Sequence, residues 1–223
     1  MATVLEAKGD GMILFSRPDY ESVTKYLSAW SKQLIREAAW KVIDVVDLFG
    51  RKANKIELEG RLKKMQPSLV VLTGHGGEDF VTGQDDEILV RAGVNSEILS
   101  GMITYAVSCQ SAERLGQEVG SYPDTCYIGY EKKFSFLHSH GYFQNPEADP
   151  VALPFIEFSN QIVRSLLKGH STHESVERAK NVGQNYLQEL ESSLSDPDKR
   201  MSAALLWRDI SCLVACGDDE KKI

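Results

Sequence analysis

Two reactive side chains each follow a short apolar run in this sequence. His75 comes after Leu69–Leu72, within Thr-Gly-His-Gly-Gly, and Cys109 comes after Met102–Val107, within Val-Ser-Cys-Gln-Ser. A thiol facing an imidazole is the minimum equipment for nucleophilic acyl transfer, because the imidazole can take the proton of the attacking thiol. The glycines on both sides of His75 leave the imidazole uncovered. The pattern therefore indicates a thiol-based active site.

The two runs have the length and the β-branched content of buried strands. Upstream of them, the strand patterns Met12–Phe15 and Val42–Leu48 alternate with two amphipathic helix patterns. This strand-helix-strand order predicts a parallel sheet with right-handed crossovers. Because the carboxyl ends of parallel strands meet at one edge of a sheet, we expect His75 and Cys109 to share a crevice.

A helix pattern over Ser111–Gly120 follows Cys109 directly. The partial positive charge at the start of such a helix would stabilise the thiolate of Cys109. Between the two apolar runs, Phe80–Thr82 and Ile88–Val90 flank a polar turn and predict a small exposed hairpin. A further strand is expected over Thr125–Tyr130.

The segment Phe134–Leu153 contains prolines and no regular pattern, so we predict a long loop that borders the substrate groove. Helix patterns then lead to a last strand pattern, Cys212–Ala215. We therefore predict an α/β fold with a mostly parallel sheet of about six strands and helices on both faces. It forms one domain over residues 1–217, followed by a charged tail, residues 218–223, that we expect to fray.

Composition argues against several classes of partner. The chain has 223 residues and a formal net charge of −7, which argues against a nucleic-acid or anionic-membrane partner. No apolar run approaches the roughly 20 residues of a membrane span, and the first residues lack the pattern of a secretion leader. The four cysteines form no CxxC pair or dense disulfide pattern and are interpreted as reduced thiols. We therefore expect a cytoplasmic protein without direct nucleic-acid or membrane partners.

Patterns for cofactor and metal sites are incomplete. Gly-His-Gly-Gly lacks the Gly-Lys-Ser/Thr of a phosphate-binding loop, and Asp79 stands where a dinucleotide-binding turn needs its third glycine. His138 and His140 alternate as zinc ligands could, but no third ligand lies at a typical spacing. Asp85–Glu87 could hold calcium, although a solvated turn explains these residues equally well. We predict no metal and no cofactor.

The sequence around His75 and Cys109 resembles the caspase-like cysteine peptidases of clan CD. The resemblance is carried by Thr-Gly-His-Gly-Gly after one strand and Ala-Val-Ser-Cys-Gln-Ser-Ala at the end of the next. Within that group, the sequence is most similar to the CHAT-domain and gingipain-like peptidases. That similarity also involves a late helix start, Gly169–Ala179, and the closing Cys216-Gly217-Asp218.

This resemblance implies a caspase-like three-layer sandwich and a cysteine endopeptidase that cleaves protein substrates. By it, His75 would be the general base, Cys109 the nucleophile, and the amides of Gly76 and Cys109 the oxyanion hole. It implies no third, orienting carboxylate. Since the chain is nearly all catalytic domain, we also hypothesise control by a regulatory protein or an activating ligand.

The sequence departs from arginine-directed members of the group, because Val107 and Ser108 stand where those carry an acidic residue. The pocket beside the nucleophile would be lined by Tyr105 and Val107 and by the segment after the fifth strand. The acidic surface and the nearby Asp79 tilt the local field negative, which favours a basic substrate side chain. We therefore predict cleavage after Arg or Lys, with Glu131 or Asp79 as the acidic group of the pocket.

Two other functions fit the same residues. One is a catalytically inactive α/β module that binds a small ligand or a protein in the strand-end crevice. The other is a non-peptidase thiol enzyme, such as an acyltransferase. Labelling by an electrophile distinguishes an enzyme from the inactive module, and release of a peptide product distinguishes a peptidase from the acyltransferase.

Overall fold

The fold is seen in a computed structural model that describes residues 11–192 and 195–223. The start of the chain, on which the prediction against secretion rests, lies outside the described residues. In the described part, no helix has both the length and the apolar content to cross a membrane. The helices and strands, in chain order, are β1 (Ile13–Arg17), α1 (Ser22–Trp40), β2 (Val45–Phe49), α2 (Lys55–Met65), β3 (Leu69–Thr73), β4 (Gly76–Gly77), β5 (Phe80–Thr82), β6 (Ile88–Arg91), β7 (Ile103–Val107), α3 (Leu115–Gly120), β8 (Cys126–Tyr130), α4 (Leu153–Leu166), α5 (Thr172–Glu191), α6 (Pro197–Cys212) and β9 (Leu213–Gly217).

The main sheet has six strands in the order β2-β1-β3-β7-β8-β9. The first five of these run parallel to their neighbours, and β9 pairs with β8 in the antiparallel direction. Parallel neighbours need crossover connections, which α1, α2 and the segments after β3 and β7 supply. The alternation of strand and helix patterns in the sequence therefore produces this sheet.

Helices cover both faces of the sheet because its strands are apolar on both faces. Successive residues of β3 point to opposite sides. Val71 packs in the core formed with α1, α4, α5 and α6, whereas Val70 packs in the core formed with α2 and α3. This arrangement confirms the predicted α/β fold class, a mostly parallel six-stranded sheet between two layers of helices.

A small three-stranded sheet, β4-β5-β6, follows β3. The predicted hairpin is present, but the expectation that it is exposed is wrong. Val81, Leu89 and Val90 are fully buried in the same core as α2. Thr82 also donates its backbone N–H to the carbonyl of His75 at 2.9 Å, so the hairpin supports the turn that carries His75.

The helix predicted over Ser111–Gly120 is regular only from Leu115. The residues before it form turns in which Gln110 donates its backbone N–H to the carbonyl of Lys132 at 3.1 Å. Arg114 and Leu115, whose N–H groups would make the first bonds of a helix starting there, both donate instead to the carbonyl of Glu78 at 2.9 Å. The start of α3 therefore lies six residues beyond Cys109.

The C-terminal tail, residues 218–223, is bound rather than frayed. Thr172 and His173, at the start of α5, donate their backbone N–H groups to the carbonyls of Lys221 (3.0 Å) and Asp219 (2.8 Å). The first N–H groups of a helix have no partner inside it. The tail therefore caps α5, and the prediction of fraying is wrong.

The segment between β8 and α4 is irregular, as predicted, apart from two single turns of 3-10 helix. Asp149, which is fully buried, fixes it in place. Its carboxylate accepts hydrogen bonds from the N–H of Ser139 (2.6 Å), the N–H of Val151 (2.9 Å) and the hydroxyl of Tyr26 (2.9 Å). The last of these bonds ties the loop, residues 134–152, to α1.

We expect Asp149→Ala to destabilise the protein and to release this loop. The variant loses several hydrogen bonds to a carboxylate and leaves their donors unpaired, so the free energy of unfolding should fall by about 3 kcal/mol. Chemical denaturation measures this change, and limited proteolysis reports cleavage within the loop. Asp44→Ala, at an exposed position, is the matched control and should change neither result. Equal stability of Asp149→Ala and wild type would contradict the anchoring role.

Candidate active site

The carboxyl ends of β3 and β7 lie side by side, with Thr73 paired to Val107. His75 follows the first strand by two residues, and Cys109 follows the second by two residues. Equal lengths of chain therefore lead from the paired strand ends to the two reactive residues. Both line one cavity of about 260 Å³, so the structure brings them into the same crevice, as expected.

The glycines that flank His75 allow the surrounding turns to approach closely. A Cβ on Gly74 would collide with the carbonyl of Thr82 in the hairpin. A Cβ on Gly76 would collide with the hydroxyl of Ser108, in the turn that carries Cys109. Neither position has room for a side chain, which explains why the motif holds glycine on both sides of the histidine.

Cys109 is partly buried, and its Sγ donates to the carbonyl of Phe134 at 3.5 Å. Burial raises the pKa of this thiol above its ordinary value. Because α3 begins only at Leu115, the expected stabilisation of a thiolate by the helix start is wrong. At neutral pH the thiol is therefore protonated and needs a base to become a nucleophile.

The imidazole of His75 lies beside the carboxylate of Glu21. Its Nε2 is 3.5 Å from Oε1 of Glu21, and both side chains are partly exposed. Glu21 also caps α1, where its carboxylate accepts the N–H groups of Val23 (2.9 Å) and Thr24 (2.6 Å). Burial would raise the pKa of Glu21, but these two bonds and the nearby imidazole outweigh it and lower the pKa. A fixed, ionised carboxylate therefore faces the imidazole.

Glu21 is absent from the residues predicted from sequence, although a signal for it exists. It follows β1, which pairs with β3. Residues after the carboxyl ends of neighbouring parallel strands share one edge of the sheet. The argument that joins His75 to Cys109 therefore extends to Glu21, four residues beyond the end of β1.

The backbone N–H of Gly76 is not used by the hairpin. Gly76 faces Val81 in the antiparallel pair of β4 and β5. Because Thr82 donates to the carbonyl of His75, this pair exchanges no hydrogen bonds of its own, and the N–H of Gly76 points away from β5. An oxyanion hole needs such a donor. The roles assigned to the amides of Gly76 and Cys109 stay predictions.

Of the residues predicted to form the specificity pocket, Val107 lies in the cavity wall. Tyr105 does not, because it is fully buried in the middle of β7, with its hydroxyl bonded inside the core. Asp79 is paired with Arg91 at 2.7 Å in the hairpin sheet, and Glu131 also lies outside the wall. Contrary to the prediction of an acidic pocket, none of the described residues in this wall carries a carboxylate.

Two further segments complete the cavity, and the second belongs to the loop that the sequence predicts at the border of the groove. One is the first turn of α1 and the next turn after it, and the other is the start of the loop after β8. The alternation of phenylalanine with polar residues in that loop is a signal for an extended segment with one apolar face. The wall residues from these segments are Val23, Leu27, Phe134, Ser135, Phe136 and His138.

A second histidine, His138, therefore lines the same cavity as His75. Its ring packs on Tyr26, with 4.6 Å between ring centroids, and meets His140 edge-on at 6.2 Å. Its Nδ1 is buried and has no hydrogen-bond partner among the described residues. In that part of the chain, no group of three or more His, Cys, Asp or Glu side chains is arranged to hold a metal ion.

Asp209 is a fully buried carboxylate behind the cavity wall. Both of its oxygens lie 3.3 Å from the N–H of Ser135, and the guanidinium of Arg208 is 3.6 Å away. Burial raises the pKa of Asp209 to about 8 despite these partners. Asp209 is therefore mostly protonated at neutral pH. Above that pKa, its charge adds to the rise in the pKa of Cys109.

Comparisons with known proteins add little to this geometry. No family model matches the chain, and no curated protein matches it by sequence. Among solved structures, a similar chain is caspase-1 from Spodoptera frugiperda, at a TM-score of 0.47 and 12% identity over 92% of this chain and 84% of that one. A similarity this low says nothing about activity. The resemblance to CHAT-domain and gingipain-like peptidases and the cytoplasmic location stay predictions.

We expect the reactivity of Cys109 to report the ionisation of Asp209. Only the thiolate reacts with iodoacetamide, so alkylation accelerates as the pH rises through the raised pKa of Cys109. Above about pH 8 the ionised Asp209 opposes thiolate formation, and Asp209→Asn should react about threefold to tenfold faster there. Below that pH the two proteins should react alike. Mass spectrometry of the Cys109 peptide measures the rate.

The exposed Asp198→Asn is the control for this comparison and should follow the wild-type profile. Profiles of wild type and Asp209→Asn that coincide on both sides of about pH 8 would show that Asp209 does not act on the thiol.

Proposed function

We propose that this protein is a cysteine endopeptidase in which His75 and Cys109 form the catalytic dyad. One observation carries the proposal: both residues follow paired ends of adjacent parallel strands and line one cavity. The burial of the cysteines supports it, since Cys109 is partly accessible while Cys126, Cys212 and Cys216 are buried. A buried cysteine usually packs as a small apolar residue, whereas an accessible one can meet a ligand.

The reaction starts from a neutral thiol, because burial raises the pKa of Cys109. As the sulfur attacks the substrate carbonyl carbon and the S–C bond forms, His75 accepts the thiol proton. The imidazolium then gives this proton to the leaving amine as the C–N bond breaks. His75 then takes a proton from a water molecule as the water oxygen bonds to the thioester carbonyl carbon, and when the C–S bond breaks the imidazolium returns this proton to the sulfur and the acid product leaves. The N–H groups of Gly76 and Cys109 stabilise the negative charge on the carbonyl oxygen.

Glu21 acts in this scheme as a positioning residue. Its carboxylate, 3.5 Å from Nε2, stabilises the imidazolium that His75 becomes during the reaction. The N–H groups at the start of α1 hold this carboxylate, so its orientation does not depend on the imidazole. The dyad therefore has a third, electrostatic partner.

We propose further that a partner protein or a small activating ligand controls cleavage through the loop of residues 134–152. This loop supplies four residues of the cavity wall, and α1 supplies two more. Asp149 and Tyr26 connect the two segments. A ligand that moves either segment would therefore change the width of the crevice.

We expect Cys109→Ala and His75→Ala each to abolish cleavage while the fold stays intact. Loss of a nucleophile or of its base lowers the rate by at least about 100-fold. The double variant should be no slower than either single variant, because the two residues act as one unit. A proteome-wide search for new N-termini, in lysate of the source organism with wild type or Cys109→Ala added, measures cleavage and identifies substrates.

Cys216→Ala and His173→Ala are the matched controls, because Cys216 is a buried thiol outside the cavity and His173 is exposed. Both should cleave like wild type. New N-termini that persist with Cys109→Ala would disprove the peptidase. If His75→Ala keeps its activity while Cys109→Ala loses it, the base is His138 rather than His75. Labelling of Cys109 without peptide release would favour the acyltransferase, and a protein without labelling would be the inactive module.

We expect Glu21→Gln to lower kcat by about tenfold and to leave KM unchanged. Glutamine keeps an oxygen to cap α1 but removes the charge that stabilises the imidazolium, and the partial exposure of the pair limits the effect. Steady-state kinetics on a substrate from the N-terminus search measures both constants. Glu57→Gln, in the first turn of α2, is the control. A variant with unchanged kcat, or with raised KM alone, would show that Glu21 only caps the helix.

A further inference from the structure

Outside the turns of the dyad, the wall of the cavity beside Cys109 is mostly apolar, with Ser135 and His138 as its polar members. Val23 and Leu27 come from α1, Val107 from β7, and Phe134 and Phe136 from the loop. Among the described residues of this wall there is no Asp, Glu, Lys or Arg. We propose that the cavity holds a large apolar side chain of the substrate, such as Phe, Leu or Met, next to the bond that Cys109 attacks. The attack by Cys109 rests on the proposed function.

The apolar walls are held from behind, so the pocket exists before a ligand binds. Phe134 packs on Tyr130, and Phe136 packs on Trp30, with 4.7 Å between ring centroids in both pairs. The cavity of about 260 Å³ is slightly smaller than typical ligand sites, which suits one side chain rather than an extended molecule. A pocket that is already formed binds more tightly because little order is lost on binding.

A charged side chain in this cavity would lose water without meeting an oppositely charged Asp, Glu, Lys or Arg in the described wall. Asp79 is paired with Arg91, and Glu21 is held by backbone N–H groups and the imidazole of the dyad. Asp209 is fully buried behind the wall and, with a pKa of about 8, is mostly uncharged at neutral pH. Lys133 is exposed and lies outside the wall. The wall therefore favours apolar side chains over both basic and acidic ones.

Peptide aldehydes test this pocket without requiring peptide cleavage. The sulfur of Cys109 adds to the aldehyde carbon, the thiol proton passes to the carbonyl oxygen, and the hemithioacetal blocks alkylation by iodoacetamide. The test uses four acetyl-tripeptide aldehydes that differ only in the last residue, which is Phe, Leu, Arg or Asp. For each aldehyde we measure the concentration that halves the alkylation rate of Cys109. We expect the Phe and Leu aldehydes to act at concentrations at least about tenfold lower than the Arg and Asp aldehydes.

Val23→Asp adds a carboxylate to the wall and is compatible with folding, because an acidic residue suits the first turn of α1. We expect this variant to shift the preference towards the Arg aldehyde by at least about tenfold. Val94→Asp, at an exposed position outside the wall, should keep the wild-type order. Three results would overturn the pocket. They are equal protection of wild-type Cys109 by the four aldehydes, stronger protection by the Arg or Asp aldehyde, and no protection by any aldehyde.

The proposed apolar pocket and the proposed peptidase activity can be refuted independently. Protection by the Phe aldehyde, in a protein that cleaves no substrate, would refute the peptidase and support the pocket. Cleavage after Arg or Asp, lost in Cys109→Ala, would refute the pocket and support the dyad.

Discussion

The parallel pairing of β3 with β7 is the constraint on which the site depends. A parallel pair puts both carboxyl ends at one edge of the sheet, and the pairing of Thr73 with Val107 makes the two turns start level. This register is strongly specified because both faces of the strands are buried. A shift by one residue would move Val71 from the core of α1 into the core of α2. Core packing therefore brings His75 and Cys109 together.

The close packing of the turns has a chemical consequence for Cys109. Gly76 lets the turn of His75 approach the turn of Cys109, and the burial of Cys109 raises the pKa of its thiol. The resting side chain is then a neutral thiol, so the proposed attack needs a base. His75 stands at the more exposed side of the crevice, where Glu21 can supply a counter-charge because the N–H groups of Val23 and Thr24 offset the desolvation of its carboxylate. The packing of the turns thus creates the need for a base, and it also leaves His75 where Glu21 can stabilise its charged form.

His75 and Cys109 could be predicted from the sequence because a local pattern, an apolar run ending in a reactive residue, decides their position. The walls of the cavity could be predicted only in part, since Val107 and the loop after β8 are expected there but the residues from α1 are not. Tyr105 and Val107 share one face of β7. Val107, at the end of the strand, reaches the crevice, while Tyr105 stays in the core. Glu21 and Phe136 arrive from segments far away in the chain. Their contacts depend on strand order and on loop anchoring, which no local periodicity encodes.

The central claim, that Cys109 attacks a substrate carbonyl with His75 as its base, is tested most directly by trapping the acyl-enzyme. Wild type is mixed with peptide p-nitroanilides that carry Phe, Leu, Arg or Asp before the scissile bond, quenched in acid and examined by mass spectrometry. We predict a mass increase equal to the acyl part of the substrate, located on Cys109 and absent from His75→Ala. Release of nitroaniline without an adduct on Cys109, or an adduct located on another residue, would contradict the account.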